Sequence, residues 1–186
     1  MRRRIIILTA LLFILLFTGC SGIFNPITLP EKQVNFEIDG NIYGPETTLD
    51  KLIKDGVVER EEYFDELIPA DSSDSIVTPY KSYGMKLIVK NNTKSPIKYT
   101  DATIIKVAVS DEYGEQANDI SILGLTLNDS LDDFNDLLGE PSMEMKNGSG
   151  IAYYWNKISV EGSDQKFDLQ VIVSENKIQI IQISFK

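Results

Sequence analysis

The sequence predicts an α+β protein: two weakly similar repeats, each a short helix packed on an antiparallel β-sheet, set behind a signal peptide and a tether. Three observations predict it. Residues 48–56 and 130–139 each open with a hydroxyl residue, keep apolar side chains at i and i+3, and stop at glycine, which is how short helices begin and end. Residues 103–109 and 179–185 alternate apolar and polar side chains, the period of a half-buried strand. Each of these runs is preceded by another strand-like run, at 85–90 and 167–174, with Asn91-Asn92 or Glu175-Asn176 after it as turn residues.

The chain begins with the basic cluster Arg2, Arg3 and Arg4, followed by residues 5–17, which are apolar apart from Thr9. That run falls short of the roughly 20 residues a helix needs to cross a hydrocarbon core, and a small-residue site follows it directly. The order is that of an export signal rather than of a permanent span. Leu16-Phe17-Thr18-Gly19-Cys20-Ser21-Gly22 resembles the lipobox of bacterial lipoproteins, in which a small residue precedes the cysteine that receives diacylglycerol; Phe17 stands where that motif usually has Leu. An ordinary secretory signal is the alternative, and it leaves unexplained why the chain's single cysteine sits at this position. Each buried methylene contributes about 0.8 kcal/mol, so several acyl chains on Cys20 would hold the protein to a bilayer where one would not. The expected organisation is a lipoprotein signal peptide over 1–19, a lipidated tether over 20–34, and a location on the extracytoplasmic face of a cell membrane.

Taken in order, residues 21–34 hold two prolines, a glycine and no sustained period, the composition of a tether. The helix over 48–56 and the strands over 85–90 and 103–109 make a first repeat, residues 35–115. Between them, the small polar residues from Pro69 to Pro79 read as an exposed loop. The second repeat, residues 116–186, has strands over 121–127 and 151–160, the latter broken at Asn156-Lys157. Its helix lies over 130–139, and its closing hairpin joins 167–174 to 179–185. In the second helix Ser130 is the N-cap, Asp133 completes a capping box, and Leu131, Phe134 and Leu138 face the sheet. On the two alternating strands, Ile105, Val107 and Val109, and Ile181, Ile183 and Phe185, share one face.

The segment Asn128-Asp129-Ser130-Leu131-Asp132-Asp133-Phe134-Asn135-Asp136-Leu137-Leu138-Gly139-Glu140-Pro141 resembles a Gly-Met-Ser/Thr-x-x-Glu-Val-x-x-x-Leu-Gly-x-Pro signature of small envelope lipoproteins. These include the outer-membrane assembly lipoprotein BamE, the tandem-repeat beta-lactamase inhibitor proteins and uncharacterised surface lipoproteins of Gram-positive bacteria. Asn128 and Asp129 depart from the usual Gly and Met. Phe36 to Pro45, the first helix and Asp55-Gly56-Val57 look most like the Gram-positive group, which extends the resemblance over nearly the whole chain. The resemblance implies a helix laid on an antiparallel sheet and implies no activity, because a fold alone does not confer function.

Composition excludes several chemistries. Lys plus Arg number 18 against 28 Asp plus Glu, a net charge of -10, and the only basic cluster leaves with the signal. A phosphate backbone demands a basic face, so nucleic acid is not expected as a partner. The sequence has no histidine, hence neither the commonest general base nor the commonest transition-metal ligand. With Cys20 acylated, no thiol remains for a disulfide, a nucleophile or a zinc site. No metal and no cofactor are expected. Carboxylates are plentiful: Glu59, Glu61, Glu62, Asp65 and Glu66 form one run, and Asp129, Asp132, Asp133 and Asp136 another. A paired-acid hydrolase could be built from either, and a calcium site from Asp129, Asp132, Asp133 and Asp136, though solvated charge is the simpler reading of both.

Tyr153, Tyr154 and Trp155 form the one concentrated aromatic group. Strand alternation puts Tyr153 and Trp155 on one face and Tyr154 on the other, so one face is core and the other displays aromatic surface. These three are the candidate partner-binding residues, with core packing as the competing role for Trp155. The expected function is a non-enzymatic protein-binding or envelope assembly module, membrane-anchored through lipid on Cys20 and partnered by an envelope or extracellular protein. A receptor for a small ligand, peptide or glycan, held between the two halves, is the alternative, and a carboxylate-based glycan hydrolase the third.

Overall fold

The computed structural model describes residues 27–80, 83–111 and 119–186, and there the chain is mixed α+β, dominated by strands. The expected signal peptide, Cys20 and the start of the tether lie outside the described residues. Strands β1 (Thr28–Leu29), β2 (Phe36–Ile38) and β3 (Asn41–Tyr43) lead into helix α1 (Leu49–Lys54). Then come β4 (Leu67–Ile68), β5 (Ser73–Tyr80), β6 (Tyr83–Lys90), β7 (Ile97–Lys98), β8 (Thr103–Ser110) and β9 (Ile120–Ile122). Helix α2 (Leu131–Leu138) precedes β10 (Met143–Asn147), β11 (Gly150–Val160), β12 (Lys166–Ser174) and β13 (Lys177–Phe185). Among the described residues no helix is long and apolar enough to cross a membrane.

Eight strands form one open sheet in the order β1-β11-β12-β13-β8-β6-β5, with β10 also on the β11 edge. All its pairings are antiparallel except β1 on β11. Going outward from the central β13–β8 seam, the order is β12 then β11 on one side and β6 then β5 on the other. A three-stranded sheet, β3-β2-β9, and the two helices share one continuous apolar core with the inner face of the large sheet. Phe36, Leu49, Leu52, Phe134, Trp155, Phe167, Leu87 and Ile183 are all fully buried in it. The Asp39-Gly40 turn between β2 and β3 takes positive φ at both positions, 49° and 77°, the two-residue hairpin geometry for which glycine is suited. The closing hairpin turns the same way through Glu175 and Asn176, φ 53° and 60°.

Helix α2 follows its sequence signals closely. The Ser130 hydroxyl accepts from the Asp133 N–H, and the Asp133 carboxylate accepts from the Ser130 N–H at 2.7 Å, a complete capping box. Phe134 and Leu138 are buried, Leu131 is half-buried against the core, and Gly139 ends the helix at φ 70°. Thr48 occupies the N-cap of α1 without making the side-chain bond the sequence suggests.

Four expectations are corrected. The stretch from Pro69 to Pro79 is largely strand: β5 pairs with β6 from Ser73 through Tyr80, with Ile76 turned into the core. It lies at a sheet edge, where a polar strand carrying Pro79 is tolerated because one side needs no ladder bonds. The strand expected over 121–127 stops at Ile122, because Leu123 and Gly124 take φ of 58° and 81° and turn the chain back on itself. Ile105 does not share a face with Val107 and Val109; a bulge opposite Ile88 and Val89 turns Ile104 inward instead. Finally, the tether composition continues into folded structure. Leu29 and Val34 are buried, and the Ser159 and Glu161 N–H groups donate to the carbonyls of Ile27 and Leu29.

Candidate functional site

The aromatic group on β11 is divided by the pleat. Trp155 is fully buried: its indole N–H donates to the Gly139 carbonyl at 2.7 Å, and its ring lies 6.2 Å from that of Phe134. It clamps the end of α2 to the sheet, and in the folded protein no partner reaches it. Tyr153 is half-buried against the same core. Tyr154 points to the opposite, open face, where its hydroxyl accepts from the Gln170 side-chain amide at 3.0 Å. Gln170 in turn accepts from the Gln182 amide at 3.2 Å. The register Tyr154, Gln170, Gln182, Ala108, Lys86 runs straight across five strands. On the edge strand β10, Met143 lies opposite Tyr154 and Met145 opposite Ala152, and they are 43% and 49% exposed. Flexible thioethers, a tyrosine and an amide ladder thus share one accessible face.

Beyond Trp155 the register of β11 slips. Lys157 takes φ 57° in a bulge, and its N–H donates to the Asp168 carboxylate at 2.7 Å, which bends the strand toward the end of the sheet. At that end lies a cavity of about 400 Å³. Its deep wall is apolar: Phe167 and Val160 are buried, and Ile105 and Phe185 are half-buried. Val34 and Pro45, from the segments that flank β2 and β3, close it on the other side. Asn92, Thr103 and Gln165 add polar groups, and Lys90, Lys166, Lys186 and Glu46 supply its charges. Residues of both sequence halves meet here. The spacing of these residues along the chain gives no sign of the cavity, because it forms only when β12, β13, β8 and β6 end side by side.

The two acidic runs do different things. In the first, Asp65 bridges Arg60 and Lys98, each at 2.9 Å, and the Lys98 and Arg60 hydrogen bonds hold its carboxyl below the usual range. In the second, Asp129 accepts from the Thr126 N–H at 2.6 Å and Asp133 caps α2, with the Ser130 hydroxyl and N–H keeping the Asp133 carboxyl low. Among the described residues, the carboxyls of Asp55, Asp65, Asp74 and Asp133 are held below the usual range, each by the hydrogen bonds it accepts. Among the described residues no group of three or more carboxylates is placed to hold a metal ion.

One further cluster was not apparent in the sequence. Tyr63, Phe64 and Tyr99 pack edge-on and tilted, with centroids 4.5 to 6.4 Å apart. The Tyr99 hydroxyl donates to the Asp74 carboxylate, and that bond, helped by burial, pushes the phenol up to about 12. No family model, curated protein or solved structure matches this chain.

Proposed function

We propose that the chain is a non-enzymatic binding module, held by lipid on Cys20 at the extracytoplasmic face of a cell membrane, that offers the open face of its large sheet to an envelope or extracellular protein. The observation that carries the reading is the row Met143, Tyr154, Gln170 and Gln182, in which half-open apolar and amide groups sit on a backbone already fixed by strand pairing. Ordering such a surface on binding costs little entropy, and Tyr and Met are favoured in interface cores. The lipobox-like residues before Cys20 support the anchor, and the absence of histidine and of a second cysteine from the sequence supports a role without catalysis. The mirrored strand order about the β13–β8 seam supports the finer description of two helix-on-sheet repeats.

The test is capture of envelope proteins by the lipidated chain in parallel with a Tyr154→Asp, Met145→Asp double variant. A partner recovered reproducibly by the first and lost by the second is expected. Recovery unaffected by the double variant would remove this face from consideration. Mass spectrometry of the purified product is expected to find Cys20 acylated at the mature amino terminus.

A second reading, a receptor for a small ligand held between the two halves, is favoured by the cavity, which draws its walls from both. Its volume lies within the roughly 300–1,000 Å³ of small-molecule sites. A thermal-shift screen tests it, since a ligand that binds only the folded state raises Tm.

A further inference from the structure

We infer that the cavity at the ends of β12, β13, β8 and β6 takes a small anionic amphiphile, an apolar body carrying one carboxylate or phosphate. The inference rests on the small-ligand reading and names its ligand class. The first support is the separation of apolar from charged groups. Phe167 and Val160, deep in the cavity, are fully or almost fully buried, whereas Lys166 and Lys186 stand exposed at its mouth and Lys90 is half-buried. A ligand that fills such a site buries its hydrocarbon inward and leaves its head among ammonium groups.

The second support is charge. The sequence is strongly acidic, with 28 Asp plus Glu against 18 Lys plus Arg, yet the cavity is lined by three lysines and a single acid, Glu46. Lys186 is partnered by Asp168. Among the described residues neither Lys90 nor Lys166 has an ion-pair partner, although acids are abundant elsewhere on the surface. Unpaired cations concentrated at an apolar opening, in a protein otherwise short of them, complement an anion that arrives with apolar surface.

The third support is how the lysines are placed. Lys166 is at the start of β12, and its carbonyl accepts from the Lys186 N–H at 2.8 Å. Lys90 ends β6, paired with Thr103 on β8. Three strand spacings, about 14 Å, separate the β12 and β6 backbones, a gap that two long, flexible lysine side chains narrow by reaching toward a shared headgroup. The chain also enters the fold here: the Ser159 N–H bonds the Ile27 carbonyl, and the next residue, Val160, lines the cavity. Cys20 is seven positions before Ile27, a reach of at most about 25 Å. With Cys20 acylated, Ile27 lies within that distance of a bilayer, which brings the cavity near a surface where single-chain acids and lysolipids are at hand.

The experiment measures the Tm of the full lipidated chain in nanodiscs with added decanoate, decyl phosphate, decanol, decyltrimethylammonium or inorganic phosphate, each against empty nanodiscs for partitioning. Decanoate or decyl phosphate is expected to raise Tm, while decanol, the cationic amphiphile and inorganic phosphate leave it unchanged. Whichever of the two anions gives the larger shift identifies the headgroup. Lys90→Gln with Lys166→Gln is expected to weaken that anion about tenfold or more, the equivalent of one lost hydrogen bond to a charged group. Both lysines reach solvent, so the ligand-free Tm should hold, and it reports directly whether the variant is folded. If that variant is unfolded, Lys166→Gln alone is used, with about half the effect on a logarithmic scale. An equal rise with decanol or the cationic amphiphile would overturn the anionic assignment and leave the receptor reading standing. A rise with inorganic phosphate alone would overturn the amphiphile. No response to any of these or to a metabolite screen would overturn both readings.

Discussion

Asn91 is the polar group on which the end of the fold near the cavity depends, and replacing it with alanine gives a calculable effect. The residue is fully buried. Its amide nitrogen donates to the carbonyls of Ile68, Pro69 and Ser95 at 3.0, 3.1 and 2.8 Å, and its oxygen accepts from the Thr93 N–H at 2.8 Å. Two amide hydrogens serve three carbonyls, so Asn91→Ala removes about three effective bonds at a net cost of about 1 kcal/mol each, or about 3 kcal/mol in all. Against a total of roughly 5–15 kcal/mol for a domain, that is a large loss. With a urea slope of about 2 kcal/mol/M, the unfolding midpoint should fall by about 1.5 M with the slope unchanged. Asn91→Asp should cost at least as much at neutral pH, since it replaces both donors with an anion facing three carbonyl oxygens. A midpoint shift below about 0.3 M for alanine, or an aspartate variant as stable as the parent, would refute the assignment of these bonds.

Trp155→Phe keeps an aromatic ring in the core but orphans the Gly139 carbonyl and leaves unfilled volume beside Phe134, so a loss of about 2 kcal/mol is expected in chemical unfolding. Gly150→Ala should destabilise the β10–β11 hairpin by about 1–3 kcal/mol, because a Cβ there would meet the Val173 carbonyl oxygen at 2.5 Å and backbone cannot swing aside; proton exchange along β10 would report it. In an ultraviolet pH titration, Tyr99 should ionise near 12, and Asp74→Asn should bring it back toward the ordinary 10.0. Because the folded value is raised, the Tyr99 contribution to stability is intact below pH 10.0 and disappears as pH climbs toward 12; the Asp74 carboxyl is held low by the same bond, so its contribution is intact above 3.8 and disappears as pH falls.

Local rules carried the sequence reading where one element's own residues decide its shape. The capping box of α2 and the Glu175-Asn176 hairpin are both settled within a few residues of chain, whereas the break expected at Asn156-Lys157 is a bulge in a continuous β11, held by Asp168 on β12. The reading failed where a distant partner decides. Ser-Asp-Ser-Ile-Val-Thr-Pro has the composition of a loop and becomes β5 because β6 supplies a ladder for it. Ile105 alternates correctly with Val107, yet a bulge against β6 assigns the inward position to Ile104. The candidate site divides the same way. Alternation separates Tyr154 from Trp155, and the structure puts them on opposite faces. The cavity needs Val34, Lys90, Ile105 and Lys166 from four separate stretches, and no local pattern links them.

The β13–β8 seam has a consequence for how the chain can be divided. Pairing from Ile180 with Ser110 through Ser184 with Lys106 joins the two halves by backbone hydrogen bonds in the middle of one sheet. Expressing residues 119–186 alone would strip β13 of that neighbour and leave a long row of unsatisfied amides and carbonyls studded with Ile180, Ile181 and Ile183. A strand so exposed recruits another of its kind, so the severed fragment should grow into swapped dimers or fibrils instead of a smaller soluble domain.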